Sequence, residues 1–166
     1  MKTKSLSIMI IAVIISVFTI SCSKKSTDDP ISNPATTELS FVANGSTYNN
    51  QSFKFARVGM ALYDVEMLAT GCNFSDEVNN SALLGFEGNT TGSFAVNDTD
   101  NSLVINYDDN TSILALTQGT ITVTKYGNVG DWITGTFTGS GVVSHDFNEP
   151  VAITIKEGKF SVKRAL

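Results

Sequence analysis

Cysteine is scarce in this chain, and so is most of the equipment of catalysis. It holds two cysteines, one histidine, one tryptophan and three prolines. A single histidine, His145, cannot complete a tetrahedral zinc set of nitrogen and sulfur ligands. It leaves one candidate for a Ser-His-Asp arrangement, beside Asp146 in an expected loop. No Gly-x-Ser-x-Gly, phosphate loop or dinucleotide fingerprint occurs. Basic residues are absent between Val58 and Thr124, where nine carboxylates fall. Phosphate recognition needs clustered cations, so a nucleic-acid partner is not expected.

The one long apolar run sits at the start. Lys2 and Lys4 precede an apolar segment over residues 6–20, the layout of a signal peptide. The run is marginal for spanning a bilayer, which takes about 20 apolar residues. Thr19-Ile20-Ser21-Cys22 closes it and resembles the bacterial lipobox, with threonine where leucine is commonest. The resemblance implies cleavage before Cys22 and a diacylglyceryl thioether on its sulfur. Two or more acyl chains anchor a protein stably, at about 0.8 kcal/mol per buried CH₂. Residues 1–21 are therefore expected to be a lipoprotein signal peptide, and the first partner a membrane, reached through the lipid anchor. The address is the cell envelope, as an outer-membrane lipoprotein, with the periplasmic or cell-surface face left open. Without Lys2 and Lys4 the net charge moves from −5 to about −7.

Residues 22–37 read as the lipidated N-terminus and a tether, polar, with two prolines and no periodicity. Acylation of Cys22 would leave Cys72 alone, so no disulfide framework holds the domain. Cys72 itself reads as a small buried apolar side chain. Residues 38–166 are long enough to build their own core.

Within that domain the pattern is β throughout. Asn44-Gly45 suggests a type I′ turn, with Phe41 facing Tyr48 across a hairpin over residues 39–48. Residues 51–58 continue as a strand. Residues 61–71 fit a helical face (Leu62, Val65, Leu68, Ala69) and also strand alternation; strand is expected because everything around is β. Short strands follow at residues 82–87, 93–96, 103–107 and 113–117, divided by Asp/Asn/Gly/Thr clusters. In residues 119–125 and 133–138, Ile121, Val123, Ile133 and Phe137 alternate with threonines suited to a solvated face. Residues 126–132 form a glycine-rich loop with an aromatic at each end. Residues 151–162 read as a hairpin around Glu157-Gly158, pairing Ile155 with Phe160 and Ile153 with Val162. The expected class is all-β, a single antiparallel β-sandwich or partly open barrel.

The run GTITVTKYGNVGDWITGTFTG, with VAITIKEGKFSVKR near the C-terminus, is similar to the strands that end a group of small uncharacterised Bacteroidota lipoproteins. The resemblance covers residues 119–164 well. It implies a sandwich-like fold and the lipoprotein address, and carries over no catalytic or binding residue.

Three chemistries are left. Paired carboxylates suffice for glycoside hydrolysis, but most here sit in turns, where Asp belongs for backbone reasons. Asp98, Asp100, Asp108 and Asp109 offer oxygen ligands for Ca²⁺, without the central glycine and terminal glutamate of an EF-hand. Plain turn chemistry is the reading preferred for them, and no cofactor is expected. Tyr126 and Trp132 either stack on a sugar ring or pack inward and pin the ends of their hairpin. The chain is thus expected to be non-catalytic, serving binding or assembly at the envelope, with a glycan or an envelope protein as partner. Carbohydrate binding through Tyr126 and Trp132 is the alternative, and a small hydrolase comes after it.

Overall fold

The computed structural model describes residues 36–166 apart from positions 47, 77, 79, 98–100, 108–110 and 146–148. The leader, Cys22, most of the tether and the four aspartates Asp98, Asp100, Asp108 and Asp109 lie outside the described residues. No helix occurs among those described. The strands are β1 (Glu38–Gly45), β2 (Gln51–Phe55), β3 (Val58–Asp64), β4 (Ala69–Ser75), β5 (Ser81–Glu87), β6 (Gly92–Ala95), β7 (Ser102–Tyr107), β8 (Ser112–Tyr126), β9 (Trp132–His145) and β10 (Val151–Lys163).

All belong to one antiparallel sheet in the order β2-β1-β10-β9-β8-β7-β5-β4-β3, with β6 alongside β8. The two edge strands, β2 and β3, are consecutive in sequence and joined by Ala56 and Arg57 alone. A link that short reaches about 11 Å at most, so the sheet must curl until its edges approach. It forms a half-barrel. Beyond β10 the chain bridges back to β3: Ala61 pairs with Arg164 in parallel, and the Ala165 amide donates to the Ala61 carbonyl at 2.8 Å.

Alternation decides which side chains enter the curl. Ala82, Leu84 and Phe86 of β5 point inward, as do Leu103, Ile105 and Tyr107 of β7. Cys72 is fully buried among them, and burial pushes its thiol up to about 12. The expected faces of the threonine-rich strands hold: Ile121, Val123, Ile133 and Phe137 are buried.

Four local expectations are corrected. Residues 113–117 and 119–125 are one strand, β8, with an irregularity between Leu116 and Gln118. The extra residue switches parity, so Leu114 and Leu116 before it and Ile121 and Val123 after it all face inward. Gly119 follows with φ +152°, and a Cβ there would lie 2.2 Å from the Thr138 carbonyl oxygen. Residues 151–162 are likewise a single strand. Two residues near Glu157 (φ +54°) oppose one on β9, which keeps Ile153, Ile155, Phe160 and Val162 on one face. The shared face was legible, but a bulge produces it and not a turn. The 14-residue β9 and the incoming β1 pair both edges of β10, whereas a hairpin would pair one edge of each arm.

At the start of the domain, β1 runs on through Gly45 because Asn44 and Gly45 pair with Thr154 and Ile153. The reversal falls after it, and Phe41 stands opposite Phe53, not Tyr48, with rings stacked at 4.9 Å. Residues 61–71 are neither one helix nor one strand. Asp64 Oδ1 accepts the amides of Glu66 (2.8 Å) and Met67 (3.0 Å), turning the chain at residues 65–68 into β4.

Candidate functional site

Strand register places three rows of side chains across the outer face of β3, β4, β5 and β7. The middle row reads Leu62, Gly71, Gly85, Ser102. Past Leu62 it carries almost no side-chain volume. On one side stand Met60, Asn73, Leu83 and Val104; on the other, Asp64, Ala69 and Glu87. The result is a trough of about 350 Å³, floored by Gly71 and Gly85 and lined by Met60, Leu83 and Met67.

Its polar groups are largely turned back on the backbone. Asn73 Oδ1 accepts the Met60 amide at 2.8 Å, and Asp64 Oδ1 holds the adjoining turn. What faces solvent is thioether and aliphatic surface, with Leu83 at 52% exposure. At one end Asp64 lines the trough, with Glu87 in the same row outside the lining.

Gly71 is the informative position. A Cβ there would meet nothing within 4 Å, and its φ lies outside the left-handed region. At Gly135, Gly139 and Gly141, by contrast, a Cβ would fall 2.1–2.2 Å from a carbonyl oxygen. Those three are glycine because the backbone crowds them. Gly71 is required by neither a left-handed backbone nor packing, and it leaves the trough open.

Tyr126 and Trp132 are brought together at the two ends of the β8–β9 turn, where the Gly127 amide donates to the Trp132 carbonyl at 3.1 Å. Tyr126 is half-buried and committed to the fold. Thr70 Oγ1 donates to the Gly88 carbonyl (2.7 Å), so it accepts from the Tyr126 hydroxyl at 2.8 Å. Phe86 meets its ring at 90°, and the Arg164 guanidinium lies 5.1 Å from the ring centre. Arg164 also donates to the Gly127 carbonyl through Nη1 (3.2 Å). Trp132 is half-buried at the first position of β9, opposite Lys163.

His145 ends β9 and is not in a loop. Its Nδ1 lies 2.5 Å from Ser112 Oγ and its Nε2 3.3 Å from the Tyr48 hydroxyl, which in turn contacts the Tyr107 hydroxyl. Ser112 is 1% exposed, so no substrate reaches its oxygen in this arrangement. The cluster ties β8, β9 and the β1–β2 reversal together. A polar cleft of about 440 Å³ opens beside it, between Phe53, Lys54, Asp76 and Asn80. Asp76 is spent on its own turn, accepting from the Val78 and Asn80 amides.

The trough was missed in the sequence. Met60, Leu62 and Leu83 fall on the same strand face as Asp64 and Glu87, a hint that an outward face is apolar. The row of small residues at its floor depends on register between strands far apart in the chain. Comparison of the chain with protein-family models, with curated proteins and with solved structures found no match.

Proposed function

We propose that the chain is a lipid-anchored, non-catalytic binding protein of the cell envelope, and that the trough over Gly71 takes a slender apolar ligand. The ligand class is an aliphatic chain ending in a neutral or positively charged group. A chain of this kind fits the thioether and aliphatic walls, and a positive end meets Asp64. Apolar pockets with few polar groups are the usual form of small-molecule sites. The observation that carries the reading is Gly71, which neither a left-handed backbone nor close packing requires. The anchor rests on the lipobox at Cys22.

A long-chain alkylamine bearing a diazirine tests the reading, with the lipidated protein held in vesicles. Photolabelling followed by peptide mass spectrometry is expected to mark Met60, Met67 and Leu83. Gly71→Phe is expected to remove that labelling without loss of fold. Labels scattered over other surfaces, or capture indifferent to Gly71→Phe, would refute it. Mass spectrometry of the mature N-terminus checks Cys22 separately.

A further inference from the structure

The turn between β3 and β4 presents three large apolar side chains to solvent: Val65 at 73% exposure, Met67 at 67% and Leu68 at 60%. Leu68 is there at a conformational cost. Its φ is +52°, a region that suits glycine or asparagine and is an outlier for a bulky residue. The Gly88 amide donates to its carbonyl at 2.7 Å and fixes the backbone, while the side chain gains no burial in return. A turn under local selection alone would hold glycine at this position. Strain kept at an exposed apolar residue points to something outside the fold.

Topology says where the turn points. β1 runs antiparallel to β10, with Glu38 opposite Ser161, and Ser161 Oγ donates to the Thr36 carbonyl at 2.8 Å. β3 runs parallel to the end of β10. The chain before Glu38 therefore arrives from the end toward which β3 and β10 point, which is the end that carries Val65, Met67 and Leu68. A Cβ on Gly59 would touch the Thr37 side chain. The turn thus lies about six residues beyond the point of entry, roughly 20 Å at 3.3 Å per residue. From Cys22 to Thr36 is about 14 residues, a reach of at most about 50 Å. An anchor at Cys22 is long enough to let the turn meet the bilayer.

We infer that this turn is a membrane-docking tip: Val65, Met67 and Leu68 insert into the interfacial layer of the bilayer that holds the anchor. Insertion into a lipid interface needs no matching surface, and tethering supplies the local concentration. Glu66 is exposed at the tip, so the chemistry favours zwitterionic over anionic lipid. The inference rests on the proposed anchor, and it brings the open trough beside Met67 close to the membrane.

The test uses the lipidated chain in phosphatidylcholine vesicles. Cys22 then carries lipid and Cys72 is buried, so one added thiol is labelled selectively. A nitrobenzoxadiazole label on Met67→Cys is expected to shift to the blue and to be quenched several-fold more by shallow lipid-borne quenchers than one on Asn49→Cys, at the opposite end of the sheet. Both effects should weaken in phosphatidylglycerol. Equal, water-like emission from both labels on vesicle-bound protein would overturn the inference, whether the tip is idle or meets a protein partner. So would a stronger response in phosphatidylglycerol. Leu68→Gly is expected to raise the thermal midpoint while reducing the blue shift, and a lowered midpoint would overturn the strain argument. If mass spectrometry finds Cys22 unmodified, the proposed anchor has failed and the inference that rests on it is overturned with it; a lipidated Cys22 with water-like emission from both labels overturns the tip alone.

Discussion

Replacing Gly71 by alanine separates a glycine kept for a site from one kept for a fold. Glycine in a strand loses more backbone freedom on folding than alanine, about 0.5–1 kcal/mol. Alanine normally returns that gain only where the added methyl has room. At Gly71 nothing lies within 4 Å of the new Cβ, and φ is not left-handed. Gly71→Ala is therefore expected to stabilise the domain by about 0.5–1 kcal/mol, a rise of roughly 2–4 °C in the midpoint for a domain of this size. Gly71→Val should stabilise at least as much, since β-branched residues suit strands. Both substitutions narrow the trough, so capture of the alkylamine probe should fall from glycine to alanine to valine as stability rises. Urea unfolding followed by Trp132 fluorescence gives the stability, and photolabelling gives the capture. A loss of more than about 0.5 kcal/mol on Gly71→Ala would show that the fold needs this glycine, and the case for the trough would lose its main support.

Gly135→Ala is the opposite case, because its Cβ would lie 2.2 Å from the Thr122 carbonyl oxygen and 2.5 Å from the Phe160 ring. It is expected to cost about 2–3 kcal/mol in the same urea assay. Tyr48→Phe removes a hydroxyl that contacts both Tyr107 and His145 and should cost about 1–2 kcal/mol. Burial disfavours the thiolate and pushes the Cys72 thiol from 9.0 up to about 12 in the fold. The unfolded chain therefore loses this proton first, and its share of stability, intact below pH 9, falls by up to about 1.4 kcal/mol per unit between pH 9 and 12. Melts of Cys72→Ala should lack that component, and the native thiol should resist alkylation at pH 8.

The parts legible in the sequence were those set by neighbours along the chain. Alternation in residues 119–125 and 133–138 put Ile121, Val123, Ile133 and Phe137 inside, as the strand period of two requires. Cys72 read as core and is core. Tyr126 and Trp132 were recognised as flanking one turn, but Thr70, Phe86 and Arg164, which engage Tyr126, come from three other parts of the chain.

Alternation along the chain was enough to establish the β class, because a pleated strand that buries one face must alternate. Where strands end was decided by lateral partners: β10 continues through a bulge at Glu157-Gly158 because β9 and β1 pair along both its edges. The trough is tertiary in the same sense. Leu62, Gly71, Gly85 and Ser102 form a row only once four strands lie side by side in register. A cross-strand row has no counterpart in the linear order of residues, and hydrogen bonding between strands creates it.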